Sequence, residues 1–234
     1  MSNESPESIF LLIGQSNMYG CGPFDGVIPA SNPKISMFQD QQWQVAKNPM
    51  HFKKPKNYSL GLGMSFAEEL LRLKFSSSIG LIQCAFGGTP LRCWVPGAEL
   101  YNNAIETFHR ASKSSKLKGI LWHQGESDSK DLKDAETYGP RLNKMIHQLR
   151  RDLHAQGVPF ISGELGHFIS NNDRFPLFNS INHQLSDLKQ NVPFYDCVSA
   201  RGLPDMGDSL HFNSKALRHF GKRYAKAFKA ISDG

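Results

Sequence analysis

Short apolar, β-rich runs alternate with longer stretches of helical periodicity, and no other feature constrains the fold of this 234-residue chain as much. The runs are Ile9–Ile13, Ile35–Phe38, Ile79–Ala85, Gly119–Trp122, Val158–Ser162 and Phe194–Val198. Helical spacing of apolar residues occupies Gly63–Lys74, Glu99–Ser112, Ala135–His154, Pro176–Gln190 and Ser214–Ile231. Repeated strand–helix–strand units predict an α/β fold, with a mostly parallel sheet and helices on both faces. No internal repeat, low-complexity tract or linker divides the chain, so one domain over residues 1–234 is expected.

Residues 19–62 break the pattern. Tyr19 to Leu62 is rich in Pro, Gly, Asn and Gln, with hairpin spacing around Met37–Val45. Irregular insertions of this length usually serve function. The reading here is a surface excursion bordering a pocket.

Composition narrows the class. The chain is 39% hydrophobic and 21% charged, the balance of a globular protein. No apolar run approaches the roughly 20 residues that span a bilayer. The first residues lack a basic segment and a cleavage site, so a cytoplasmic location without membrane association is the expectation. A formal charge of +6 raises the question of nucleic acid, yet the lysines are dispersed. The densest basic stretch, Lys215 to Lys229, interleaves with Leu217, Phe220, Tyr224, Ala227 and Ile231 at helical spacing. The bases therefore fall on a solvated helix face, and no nucleic-acid partner is expected. Cys21, Cys84, Cys93 and Cys197 form no C-x-x-C pair, which favours free thiols over a disulfide framework or zinc site.

In open α/β sheets, ligands bind outside the carboxyl ends of the strands. The residues just past each run are therefore the informative ones. They are Gly14-Gln15-Ser16-Asn17, Gly87-Gly88-Thr89, His123-Gln124-Gly125-Glu126-Ser127-Asp128 and, after a loop, Asp208-Ser209-Leu210-His211-Phe212. A serine hydroxyl attacks a carbonyl only when a base takes its proton, and His211 is the candidate base for Ser16. Asp208, three residues before it, could hold the second ring nitrogen and stabilise the imidazolium. A developing oxyanion needs donors already in place. The N–H groups of Ser16 and Gly88 and the Gln124 side-chain amide are the candidates. Each block also has an ordinary structural reading. Ser16 and Asn17 suit a turn, Asp208 and His211 suit the start of a helix at Ser214, and His123 beside Trp122 suits a satisfied, semi-buried histidine. Only their joint placement at strand ends favours chemistry.

GQSNM at 14–18, GGTPLRCW at 87–94, HQGESD at 123–128 and DSLHF at 208–212 resemble the blocks of the SGNH hydrolase superfamily. The likeness is closest to its sialate O-acetylesterase-like branch, the carbohydrate esterases of family six, and it runs from about residue 8 to 231. It implies a three-layer α/β/α, flavodoxin-like fold and a serine esterase that removes acetyl groups from sugars without metal or other cofactor. Carried over by position, it makes Ser16 the nucleophile, His211 the base, and Gly88 and Gln124 oxyanion donors. Asp208 is the preferred acid. Glu126 is the alternative acid, or otherwise a supporting or substrate-contacting group. Gln15, Gly87, Arg92 and Trp94 become candidate substrate contacts, and an acetylated carbohydrate the expected partner. Two other classes compete. A non-catalytic carbohydrate-binding protein would lack Ser, His or an oxyanion donor, and none is missing. A nucleotide-binding protein would show a P-loop or dinucleotide glycine fingerprint, and neither is present.

Overall fold

The computed structural model describes residues 5–23, 31–50, 60–112 and 115–233, and the expected excursion at Tyr19–Leu62 therefore lies partly outside the described residues. A seven-stranded sheet forms its centre. Its strands are β1 (Ser8–Gly14), β2 (Ile35–Gln39), β3 (Gln42–Val45), β4 (Ile79–Gln83), β5 (Lys116–His123), β6 (Phe160–Gly163) and β7 (Tyr195–Val198), in the order β3-β2-β4-β1-β5-β6-β7. All neighbours pair parallel except β2 and β3, which form the hairpin expected from the sequence. Asp40 and Gln41, both at positive φ (51° and 60°), make its two-residue turn. Without the hairpin, the five remaining parallel strands run 2-1-3-4-5 in chain order, the flavodoxin-like arrangement.

Every residue of β1 is buried, because both faces of the sheet are covered. Ile9, Leu11 and Ile13 face a core built with α3 (Glu99–Ala111), α5 (Tyr138–Asp152) and α6 (Phe178–Asp187). Phe10 and Leu12 face the opposite core, with α2 (Gly63–Arg72) and α7 (Ser214–Ser232). Alternating residues of one strand thus knit the two outer layers to the sheet. On α7, Leu217, Phe220 and Tyr224 are buried, while Lys215, Lys222 and Lys226 are exposed. No helix among the described residues is long and apolar enough to cross a membrane.

Element boundaries shift by a few residues from expectation, most around α5 and β5. The stretch read as one helix over Ala135–His154 is two, α4 (Leu132–Glu136) and α5, broken at Thr137. The carboxylate of Asp131 caps α4 by accepting the Asp134 N–H at 3.1 Å. β5 begins at Lys116, earlier than Gly119, because its first three residues lie toward the surface, where charge is tolerated.

Candidate active site

The chain moves outward on one side of β1 to β2 and β4, then returns across it to β5, β6 and β7, so the strand order reverses at β1. Such a reversal leaves a crevice at the carboxyl ends. Here it brings together the segments after β1, β4 and β5.

Gly14 ends β1 beside His123, the last residue of β5. A Cβ on Gly14 would lie 2.2 Å from the His123 carbonyl oxygen, and its φ is +131°. Only glycine fits there. The chain then turns into a four-residue helix, α1 (Ser16–Tyr19), whose Met18 and Tyr19 N–H groups donate to the Gln15 carbonyl at 2.9 and 2.8 Å. The N–H groups of Ser16 and Asn17, at the start of this turn, donate to no described group, as first-turn amides do.

The Ser16 hydroxyl is 3.1 Å from Nε2 of His211. On the other side of the ring, Nδ1 is 2.6 Å from Oδ2 of Asp208. The remaining oxygen, Oδ1, accepts the backbone N–H groups of Leu210 (3.0 Å) and His211 (2.8 Å). Burial works against the Asp208 charge, but these hydrogen bonds and the facing imidazole outweigh it and hold the carboxyl below its ordinary range. The loop itself is braced. Asp205 Oδ2 accepts the Ser209 N–H at 2.7 Å, and Met206 donates to the His211 carbonyl at 2.9 Å. Asn213, not Asp208, caps α7 through the Ala216 N–H, so the helix-cap reading of Asp208 fails.

Asn17 fastens the two ends of the chain together. Its amide donates to Glu126 Oε1 at 2.8 Å and to the Leu210 carbonyl at 3.3 Å, and its oxygen accepts the Phe212 N–H at 3.1 Å. Both neighbours of His211 are thereby tied to the residue that follows Ser16. Glu126 is buried and touches Asn17 and, at 3.5 Å, the His123 ring, with no contact to His211. Desolvation raises its proton affinity, yet His123 and the Asn17 amide outweigh this and keep the carboxyl below its usual value. Glu126 thus stands behind Asn17 instead of beside the base. His123 is wholly enclosed, its ring edge-on to Phe212 and Phe220, which is deeper than the semi-buried position expected.

The glycine loop after β4 approaches the serine closely. A Cβ on Gly87 would lie 3.8 Å from that of Ser16, and Gly88 adopts φ +72° with open space around it. Phe86 anchors the loop by donating to the Gly14 carbonyl at 2.9 Å.

Two of the expected contacts, those of Gln124 and Trp94, are corrected. Gln124 has no exposed surface, and its amide is consumed internally by Asp128 Oδ2 (2.7 Å), the Thr89 carbonyl (3.0 Å) and Gln15 Oε1 (3.2 Å). The Asp128 carboxylate can only accept and so fixes that orientation, with the Tyr138 hydroxyl 2.7 Å from the Gln124 carbonyl and 3.0 Å from its Oε1, so Gln124 braces the loops and offers no oxyanion donor. Gln15 is buried, and its Oε1 accepts from the Gln124 amide and the Ser127 N–H. Trp94 is 1% exposed, edge-on to Trp122 and bonded to the Thr89 hydroxyl, because its indole completes the core under α3. Arg92 points to solvent and meets Asp134 at 3.4 Å.

Asn17 and Asp128 are the site residues that the sequence reading did not single out. Asp128 accepts the Leu91 N–H (2.8 Å), the Gln124 amide and Arg141 (3.1 Å), pinning the end of the glycine loop. Burial raises its proton affinity despite these partners. Their signal was position alone, inside blocks already noted. All four cysteines are free, and burial pushes the Cys21 and Cys84 thiols up to about 12. Neither supplies a thiolate near neutral pH.

Comparison with known proteins identifies the family of the chain. A family model described as carbohydrate esterase, sialic acid-specific acetylesterase, matches residues 6–230. A probable carbohydrate esterase of Arabidopsis thaliana is 34% identical over 243 residues, covering 95% of this chain and 90% of the relative. The X-ray structure of an Arabidopsis thaliana protein superposes with a TM-score of 0.87 at 30% identity, covering 96% of this chain and 98% of that one. A carbohydrate acetylesterase from Xanthomonas citri shares the fold, with a TM-score of 0.76 at 21% identity over 97% of this chain and 56% of that one. With a family match across almost its whole length, the chain belongs to the sialic acid-specific acetylesterase family of carbohydrate esterases, which are carboxylic ester hydrolases.

Proposed function

We propose that the protein removes O-acetyl groups from carbohydrates by a two-step acyl transfer at Ser16. The observation that carries this reading is the continuous chain of hydrogen bonds from Asp208 through His211 to the Ser16 hydroxyl. With Nδ1–H donated to Asp208, the Nε2 lone pair faces Ser16 and can take its proton. Ser16 Oγ attacks the acetyl carbonyl carbon, and the proton moves to Nε2. The carbonyl oxygen becomes an oxyanion within reach of the Ser16 and Gly88 N–H groups. Removing one such donor in other enzymes costs about 100- to 1,000-fold in rate. Collapse breaks the bond to the sugar oxygen, which receives the proton from His211. Water, activated by the same histidine, then releases acetate and restores Ser16. Asp208 remains ionised and holds the ring throughout.

The test is acetate release from O-acetylated sugars, and p-nitrophenyl acetate hydrolysis, by the protein and by its Ser16→Ala variant. Turnover that disappears in the variant is expected. Equal rates for the two proteins would reject the reading.

A further inference from the structure

On the acyl-transfer reading, the Gly88 N–H meets a developing oxyanion at a fixed place relative to Ser16. A donor that must first be moved into position stabilises that charge less than one already there. Packing does not hold Gly88. It lies on the exposed stretch 86–88, and no described atom comes within 4 Å of where its Cβ would be.

The hydrogen bonds that follow Gly88 converge on one buried side chain. Asp128 Oδ2 accepts the Leu91 N–H at 2.8 Å and the Gln124 amide at 2.7 Å, and the same amide reaches the Thr89 carbonyl at 3.0 Å. The Thr89 hydroxyl closes the loop on itself by donating to the Phe86 carbonyl at 2.8 Å. The residues on either side of Pro90 are thus both anchored from a single carboxylate oxygen, one directly and one through Gln124. We propose that Asp128 is the positioning residue of the oxyanion site, which sets where the Gly88 N–H stands relative to Ser16. Asp128 has no exposed surface, so it acts through the loop and touches no substrate. The inference rests on the acyl-transfer reading and adds the group that holds one of its donors in place.

The segment around Asp128 also braces the serine. Ser127 donates its N–H to Gln15 Oε1 at 3.3 Å, the Gln124 amide lies 3.2 Å from the same oxygen, and Gln15 directly precedes Ser16. Residues 124–128 therefore bond on one side to the turn that carries the nucleophile and on the other to the loop that carries Gly88. One segment bonded to both fixes their separation.

The other carboxylate oxygen has a different partner. Oδ1 accepts from Arg141 at 3.1 Å, and Arg141 also donates to the Asp134 carbonyl at 2.7 Å. Two substitutions consequently have opposite outcomes. In Asp128→Asn, the two donors that converge on Oδ2 keep the amide oxygen there, and the NH2 turns toward Arg141, which retains Asp134. Asp128→Ala removes the acceptor and releases both anchors.

The test is steady-state p-nitrophenyl acetate hydrolysis by wild type, Ser16→Ala, Asp128→Ala and Asp128→Asn, with circular dichroism melts alongside. Inhibition by methylboronic acid, whose tetrahedral serine adduct places an oxygen where the oxyanion forms, is measured for the same proteins. Asp128→Ala is expected to lose about 30- to 100-fold in kcat, less than outright removal of a donor, with KM within about threefold and boronate affinity weakened by a factor similar to that in kcat. Asp128→Asn is expected to stay within about fivefold of wild type in kcat, because the acceptor is kept. A purely structural role would lower Tm in both variants and leave kcat and boronate affinity of the folded enzyme unchanged. That result overturns the proposal, as does an Asp128→Asn enzyme as impaired as Asp128→Ala. Where Asp128→Ala does not fold, Gln124→Met decides, since it cuts the relay to Thr89: about a tenfold fall in kcat at constant KM is expected, and a kcat within about twofold of wild type overturns the proposal. Ser16→Ala separates the two readings. Its turnover at the wild-type rate rejects the esterase reading, whereas Ser16-dependent turnover with Asp128→Ala within about threefold of wild type rejects the positioning role alone.

Discussion

Replacing Asp208 with Asn exchanges one oxygen for an NH2, and the surrounding hydrogen bonds dictate which one. Two backbone N–H groups, from Leu210 and His211, converge on Oδ1. An amide nitrogen cannot accept them, so the Asn oxygen stays at that position and its NH2 takes the place of Oδ2, 2.6 Å from His211 Nδ1. Nδ1 must then accept, which moves the ring proton to Nε2. The face toward Ser16, 3.1 Å away, becomes a donor and can no longer take the hydroxyl proton. The same tautomer reversal in a serine protease costs roughly 10,000-fold in kcat, equivalent to about 5 kcal/mol in the barrier. A loss of that order is expected here, with KM within about threefold, since ground-state binding is untouched. Glu126→Gln is the matched comparison. It keeps an oxygen for the Asn17 amide and does not touch His211, so a loss below about tenfold is expected. The assay is steady-state p-nitrophenyl acetate hydrolysis, with circular dichroism melts to confirm folding. If Asp208→Asn retains activity within tenfold of wild type, or Glu126→Gln is the more damaged enzyme, the argument from hydrogen-bond direction is wrong.

Asn17→Ala should lower kcat about 100-fold through loss of Ser16–His211 alignment, and should lower Tm, since a buried N–H and a buried carboxylate lose their partner; an unchanged kcat would remove the tether from the mechanism. Gly14→Ala should prevent stable folding because its Cβ would overlap backbone, whereas Gly87→Ala should fold, since its Cβ would meet Ser16 at ordinary van der Waals distance; thermal melts of the pair check this. Asp208, Glu126 and Glu164 all hold protons less tightly folded than unfolded, so their stabilisation is present above the unfolded carboxylate range and is lost as pH falls through their folded values. Urea unfolding between about pH 6 and pH 3 should show stability falling with acid, less steeply in Glu126→Gln; a slope of opposite sign refutes the assignment.

The parts of this fold legible in the sequence are those where one physical requirement dominates. A run such as Ile9–Ile13 can only be a strand covered on both faces, and a break into Gly-Gln-Ser-Asn marks its end at the carboxyl edge. The Asp208–His211 spacing was readable for a similar reason, because three residues within one braced loop bring the partners together. Side-chain direction was not readable. Gln124 has the right type and place for an oxyanion donor, but the buried carboxylate of Asp128 turns its amide inward. Trp94 follows a loop that approaches the serine, yet its indole is drawn into the core by Trp122. Asn17 was hidden because its partners lie 109 and 193 residues away, and a single sequence carries no trace of such pairing.

The bond between Ser16 and His211 spans 195 positions of a 234-residue chain. During synthesis the proposed nucleophile leaves the ribosome 195 residues before its proposed base. On the proposed mechanism, chains that end before His211 carry a serine that cannot be activated, and hydrolytic competence arrives only when the loop bearing His211 docks beside Ser16. In a refolding experiment, ester turnover would report this final long-range closure, behind any spectroscopic signal from the locally formed helices.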